Sequence, residues 1–182
     1  MKNLIIIITL VFGFQFTTAQ DFKRTEKYKL TTSAKDKGDD YTQYHVTIVS
    51  ATDPNKSIGA FTIEEDTFED VRISILENPA LDGVVEVLKV DVEYVACCVY
   101  VESYYYMVTD TEVVALPRLD NGYCDGPVLE FKYLFPNQKY GVEGTIVKAE
   151  VSYTEDIKVK DAIVLQSHIW NDDDFEMEVA GE

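Results

Sequence analysis

Residues 95–110 read VACCVYVESYYYMVTD, two adjacent cysteines at one end and three adjacent tyrosines at the other. On an extended chain neighbouring side chains point to opposite faces. Val95, Cys97, Val99 and Val101 then share one face, and Ala96, Cys98, Tyr100, Glu102, Tyr104 and Tyr106 share the other. Val and Tyr are favoured in strands, so the stretch reads as a strand in a sheet.

The same period of two extends outward in both directions. Tyr44, Val46 and Ile48 alternate with polar neighbours, as do Gly59, Phe61 and Ile63, then Val71, Ile73 and Ile75. Runs at 84–94, 112–119, 127–135, 145–153 and 159–170 repeat the pattern. Turn formers separate them: Asn78-Pro79, Asp82-Gly83, Asp120-Asn121-Gly122, Asp125-Gly126-Pro127 and Pro136-Asn137. Such punctuation predicts an all-β fold, a single antiparallel β-sandwich or barrel-like domain of about eight to nine strands. Residues 67–77 carry two signals. Asp66 and Thr67 with Glu69 and Asp70 resemble a capping box, which would start one short helix. Val71, Ile73 and Ile75 alternate as a strand, and that reading is preferred.

The N-terminus sets the compartment. Lys2, an apolar run from Leu4 to Phe16 and small residues at Thr17-Thr18-Ala19 have the layout of a cleavable signal peptide, residues 1–20. A membrane anchor competes, but Gly13 and Gln15 interrupt the run, which falls short of the ~20 apolar residues a span needs. The expected organisation is therefore a β-rich domain over 21–170 and an acidic tail over 171–182, in a protein that is secreted or periplasmic. The tail carries six acids and no base, which suits a solvated end.

The chain has 33 acids against 16 bases and a formal charge of −17. Nucleic acid is excluded as an expected partner, because phosphate binding relies on Lys and Arg displacing counterions. A glycan or another envelope protein remains.

Outside the cell a disulfide is expected. If the chain turns at Asp110-Thr111 and returns antiparallel, paired residue numbers add to 221, which sets Cys97 opposite Cys124. A loop one residue longer raises the total to 222 and selects Cys98 instead. The remaining cysteine reads as a small buried hydrophobe, since neither His45 nor His168 lies in a context that would activate a thiol.

The tyrosines have two readings. They pack across the sheet, or Tyr100, Tyr104 and Tyr106 beside Glu102 form an exposed platform that stacks on a sugar ring or a protein loop. Their exposure separates the two. In the loop LDNGYCDGP (119–127), Asp120 and Asp125 are the candidate calcium ligands, although the EF-hand spacing fails there and turns explain the residues as well. No cofactor is otherwise implied.

There is no G-x-S-x-G elbow, H-E-x-x-H, phosphate-cradling glycine loop or C-x-x-C. A two-carboxylate hydrolase leaves no local signature and stays as an alternative. The sequence expectation is an exported protein that binds rather than catalyses, with a purely structural or interaction module as the other alternative.

Overall fold

The computed structural model describes residues 20–36, 42–64, 68–95, 98–124, 129–156 and 158–170. Eleven strands follow one another: β1 Lys23–Arg24, β2 Tyr28–Asp36, β3 Thr42–Ser50, β4 Ser57–Glu64, β5 Phe68–Glu77, β6 Val84–Val95, β7 Val99–Thr109, β8 Val113–Tyr123, β9 Leu129–Leu134, β10 Thr145–Tyr153 and β11 Val159–Ile169. No helix occurs among the described residues. The segment at 67–77, read as a strand in preference to a short helix, is strand β5 over Phe68–Glu77. Its β-branched residues at every second position pair with β6, Val71 opposite Val92 and Ile73 opposite Val90, and a bulge near Glu69 absorbs the acidic start.

The strands form three antiparallel sheets, ordered β1-β5-β6-β7-β8, β2-β3-β4 and β11-β10-β9. They do not close into a barrel. The five-stranded sheet is covered on both faces, which is why β6 and β7 are apolar at so many consecutive positions. On one face Leu88, Val90, Val92 and Tyr106 pack against Val46, Ile48, Phe61 and Ile63 of the β2-β3-β4 sheet. On the other, Val87, Tyr105 and Met107 pack against Tyr133 and Ile146 of the third sheet and Phe135 just after β9. Burying an aliphatic side chain of this kind contributes roughly 1.5–3 kcal/mol. These two layers hold the central sheet fixed.

Register decides the disulfide. Near the turn the β7–β8 hairpin follows the short-loop pairing, Val108 opposite Val113 through Tyr105 opposite Leu116. Between Ser103 and Tyr105 the register shifts, and beyond it Ser103 faces Leu119 and Val99 faces Tyr123. Pro117 lies in the extra segment of β8. Lacking an N–H, proline cannot complete a ladder and belongs at a bulge or an edge. The shift moves the cysteine pairing by one residue. The bond is Cys98–Cys124, with Cα atoms 4.9 Å apart, and not the expected Cys97–Cys124. Cys97 lies outside the described residues.

Asn121 joins the central sheet to the third. Its side chain, 2% exposed, donates from Nδ2 to the Phe131 carbonyl at 3.2 Å and accepts the Phe131 N–H at Oδ1 at 2.7 Å. The amide thus stands in for a strand partner. The Tyr133 hydroxyl adds a second tie, donating to the Pro117 carbonyl at 3.1 Å. Together they set β9 beside the edge strand β8 and fix how the third sheet sits over the central one.

Candidate functional site

The tyrosine face of β7 is mostly closed. Tyr106 is 5% exposed; its hydroxyl donates to the Ala60 carbonyl, and its ring lies where a side chain at position 59 would be. A Cβ on Gly59 would come within 2.3 Å of that ring, so only glycine fits. Tyr104 stacks on Phe61 with ring centroids 4.7 Å apart. Its hydroxyl donates to Glu102 at 2.7 Å, and Tyr94 donates to the same carboxylate oxygen at 3.1 Å. Arg118, at the β8 bulge, closes on Glu102 and Asp120, each at 2.8 Å.

Burial, with the hydrogen bond to Glu102, raises the Tyr104 hydroxyl above its ordinary range, and burial pushes Tyr106 up to about 12. Tyr100 alone of the three is exposed, at 36%. The structure therefore ties Glu102 and Tyr104 into a hydrogen-bonded network with Tyr94, with Tyr100 exposed at its edge against the Tyr94 ring and Tyr106 buried beside it, and not into an open platform. Asp120 is engaged by Arg118 instead of facing an open cation position. Asp125 lies outside the described residues, among which no cluster of three or more His, Cys, Asp or Glu occurs that would hold a metal ion.

The alternate residues of the same strands make the other face, and there the sheets leave space. A cleft of about 1190 Å³ lies between the central sheet and the third sheet. Lys89 of β6 is at its floor, 8% exposed, with Nζ 3.0 Å from Asp91 and 3.5 Å from Glu130. Lys132 approaches Glu130 at 3.2 Å from the β9 side. Tyr153 donates to Glu130 at 2.5 Å, and Ser103 donates to Asp91 at 2.6 Å. The Lys89 ammonium is also 5.7 Å from the Tyr105 ring centroid, and Lys132 is 5.2 Å from that of Tyr153. Cationic groups at such distances are held by the ring quadrupole.

Burial alone would lower the Lys89 pKa, but Tyr105, Asp91 and Glu130 around it more than offset that, and it is held above the ordinary lysine value. Burial likewise opposes ionisation of Glu130, yet Lys132 and Lys89 outweigh it and keep the carboxyl below its usual range. The cluster is a set of fixed, satisfied charges of both signs. A buried charge is tolerated only when paired and hydrogen-bonded in this way.

A second hollow, of about 450 Å³, opens on the far side of Asp91 and Glu130 and is walled by Arg24, Arg72 and Tyr123. Ser74, Asp91 and Glu130 border both spaces, so the two meet along the carboxylates.

Sequence reasoning passed over these residues. Lys89 and Asp91 look like ordinary polar positions of an alternating strand, and Glu130 and Lys132 like the same on another. The available signal was that the 84–94 and 95–110 strands are flanked on both sides by apolar runs. A lysine at the centre of such a sheet is then buried and needs partners.

No family model, curated protein or solved structure matches the chain. The functional reading rests on the geometry alone.

Proposed function

We propose that the chain is an exported protein that binds a saccharide in the cleft between the central and third sheets, without chemistry on it. The observation that carries this reading is Lys89, an ammonium buried between two carboxylates and beside an aromatic ring at the floor of a large cleft. Fixed donors and acceptors of both signs next to ring faces suit a ligand that presents hydroxyls on its edges and C–H groups on its faces.

Export is supported by the N-terminal pattern and by the Cys98–Cys124 bond, which belongs to an oxidising compartment. Among the described residues no helix is long and apolar enough to cross a membrane.

Binding is favoured over hydrolysis by the ionised Glu130 and by Lys89 beside it. A two-carboxylate hydrolase keeps one carboxyl protonated near neutral pH as its acid. Here Glu130 is held on its ionised side, and Lys89 occupies the space between the two carboxylates.

The test is a thermal-melt screen of the chain against soluble polysaccharide fragments, because a ligand of the folded state raises the melting temperature by mass action. A saccharide should give a shift that Tyr153→Ala abolishes and Tyr100→Ala leaves in place. Loss with Tyr100→Ala and retention with Tyr153→Ala would return the site to the tyrosine face.

A further inference from the structure

The charge around the two hollows is unlike that of the rest of the protein. Among the described residues, six of the fourteen Lys and Arg line them, against four of the twenty-two Asp and Glu. In a chain of formal charge −17 the two hollows carry more bases than acids.

Of the four acids there, the two at the floor are each held by several partners, while Asp21 and Glu155 stand exposed at the rim. Asp91 accepts from Ser103 and pairs with Lys89. Glu130 pairs with Lys89 and Lys132 and accepts from Tyr153. At the rim, by contrast, Arg24 and Lys158 have no acidic partner among the described residues, and Lys139 donates to the Val159 carbonyl and lies over the Tyr140 ring. Arg72 is paired with the half-buried Glu93 at 2.6 Å. The floor is neutralised, and the rim sets Arg24, Arg72, Lys139 and Lys158 against Asp21 and Glu155.

Guanidinium groups present paired donors that match carboxylate and sulfate geometry, and lysines act as point charges toward the same groups. A long-range field of −17 would repel an anion unless such a local concentration of bases compensated for it. Resting on the cleft reading above, we propose that the ligand is an anionic saccharide, its ring seated in the cleft beside Tyr153 and its carboxylate or sulfate groups held by Arg24, Lys139 and Lys158 at the rim.

Calorimetric titration of the chain with three oligosaccharides of equal length tests this: an oligogalacturonate, its methyl ester, and a sulfated galactan fragment. The ester keeps the ring and removes the charge. At least one acidic oligosaccharide should bind ten-fold or more tighter than the ester, and that affinity should fall as salt is raised. Which of the two acids binds distinguishes carboxylate from sulfate. Arg24→Ala with Lys158→Ala should weaken the acid by ten-fold or more and narrow the ratio of acid to ester, while Arg118→Ala, on the tyrosine face, leaves both unchanged. Equal affinity for acid and ester would overturn the anionic assignment and leave the cleft reading standing. Absence of binding by all three, with neutral polysaccharide fragments also silent in the melt screen, would overturn both.

Discussion

Tyr104 and Tyr105 are neighbours in sequence and lead to opposite environments. Tyr104 turns to a dry face, where it stacks on Phe61 and shares Glu102 with Tyr94. Tyr105 turns to the cleft, 1% exposed, edge-on to Tyr133 with centroids 5.1 Å apart and beneath the Lys89 ammonium. One face of the central sheet holds the protein together. The other is kept partly open at the cost of burying charge. An aromatic run in a central strand thus serves two purposes, divided by parity.

The largest expected effect lies on the closed face. Tyr106→Ala empties a packed position and should cost about 3–5 kcal/mol, read by denaturant unfolding, with no change in cleft affinity for the folded fraction. Gly59→Ala should act on the same contact from the other side, since the new methyl group meets the Tyr106 ring; a melting temperature equal to the parent's would show that the ring yields freely.

The disulfide comes next. Cys98→Ser should cost roughly 3–4 kcal/mol in the chain-entropy model for a link spanning 26 residues. Cys97→Ser should retain the bond, and peptide mapping under non-reducing conditions checks both. Inserting one residue into β8 beyond the bulge, between Leu119 and Asn121, should advance the register by one and move the pairing to Cys97. Cys98–Cys124 persisting in that variant would mean that something other than register selects the partner.

Asn121→Ala tests the tie between the sheets. Leaving the Phe131 amide and carbonyl without their partner should cost about 1–3 kcal/mol. Because the same amide positions Glu130 and Lys132 over Lys89, cleft affinity should fall as well, a coupling that Tyr106→Ala lacks.

The smallest effects are in the pH profile, and the signs differ by group. Glu130 has a folded pKa below its ordinary 4.5, so its contribution is present above that value and lost as pH falls through the folded one. Lys89, raised above 10.5, contributes fully below that pH and loses its contribution only as pH rises through the folded value. Tyr106 and Tyr133, pushed up to about 12 by burial from 10.0, stabilise the fold below pH 10 and cease to do so as pH climbs past it. Stability should be flat from mildly acidic pH to about 10, then fall on the alkaline side as tyrosines ionise in the unfolded chain. Glu130→Gln should blunt the acid limb and, because Glu130 helps to hold Lys89 and Tyr153 up, should also change the alkaline one.

The sequence made strands β3 to β11 legible because each carries an apolar residue at every second position. It hid β1 and β2. Of the KLTTS segment in β2, Leu30 packs inward, together with Tyr28 just before it, so an edge strand of Lys, Thr and Ser gives almost no hydrophobic period. The cysteine pairing turned on a bulge. Pro117 signals one in principle, but whether it adds a residue depends on how β8 meets β9, a tertiary fact. The site was missed for a related reason. Alternation assigns Tyr104 and Tyr105 to different faces without saying that both are covered, nor that a third sheet stands off far enough on one side to leave a cleft.

The most direct test of the division between the two faces is an NMR titration of the chain with the acidic oligosaccharide that binds. Amide shifts should concentrate at Lys89, at Glu130–Lys132 and at Tyr153–Thr154, with the Arg24 and Lys158 regions following. Shifts confined to Phe61, Tyr100 and Arg118 would contradict the account and restore the tyrosine platform as the binding surface.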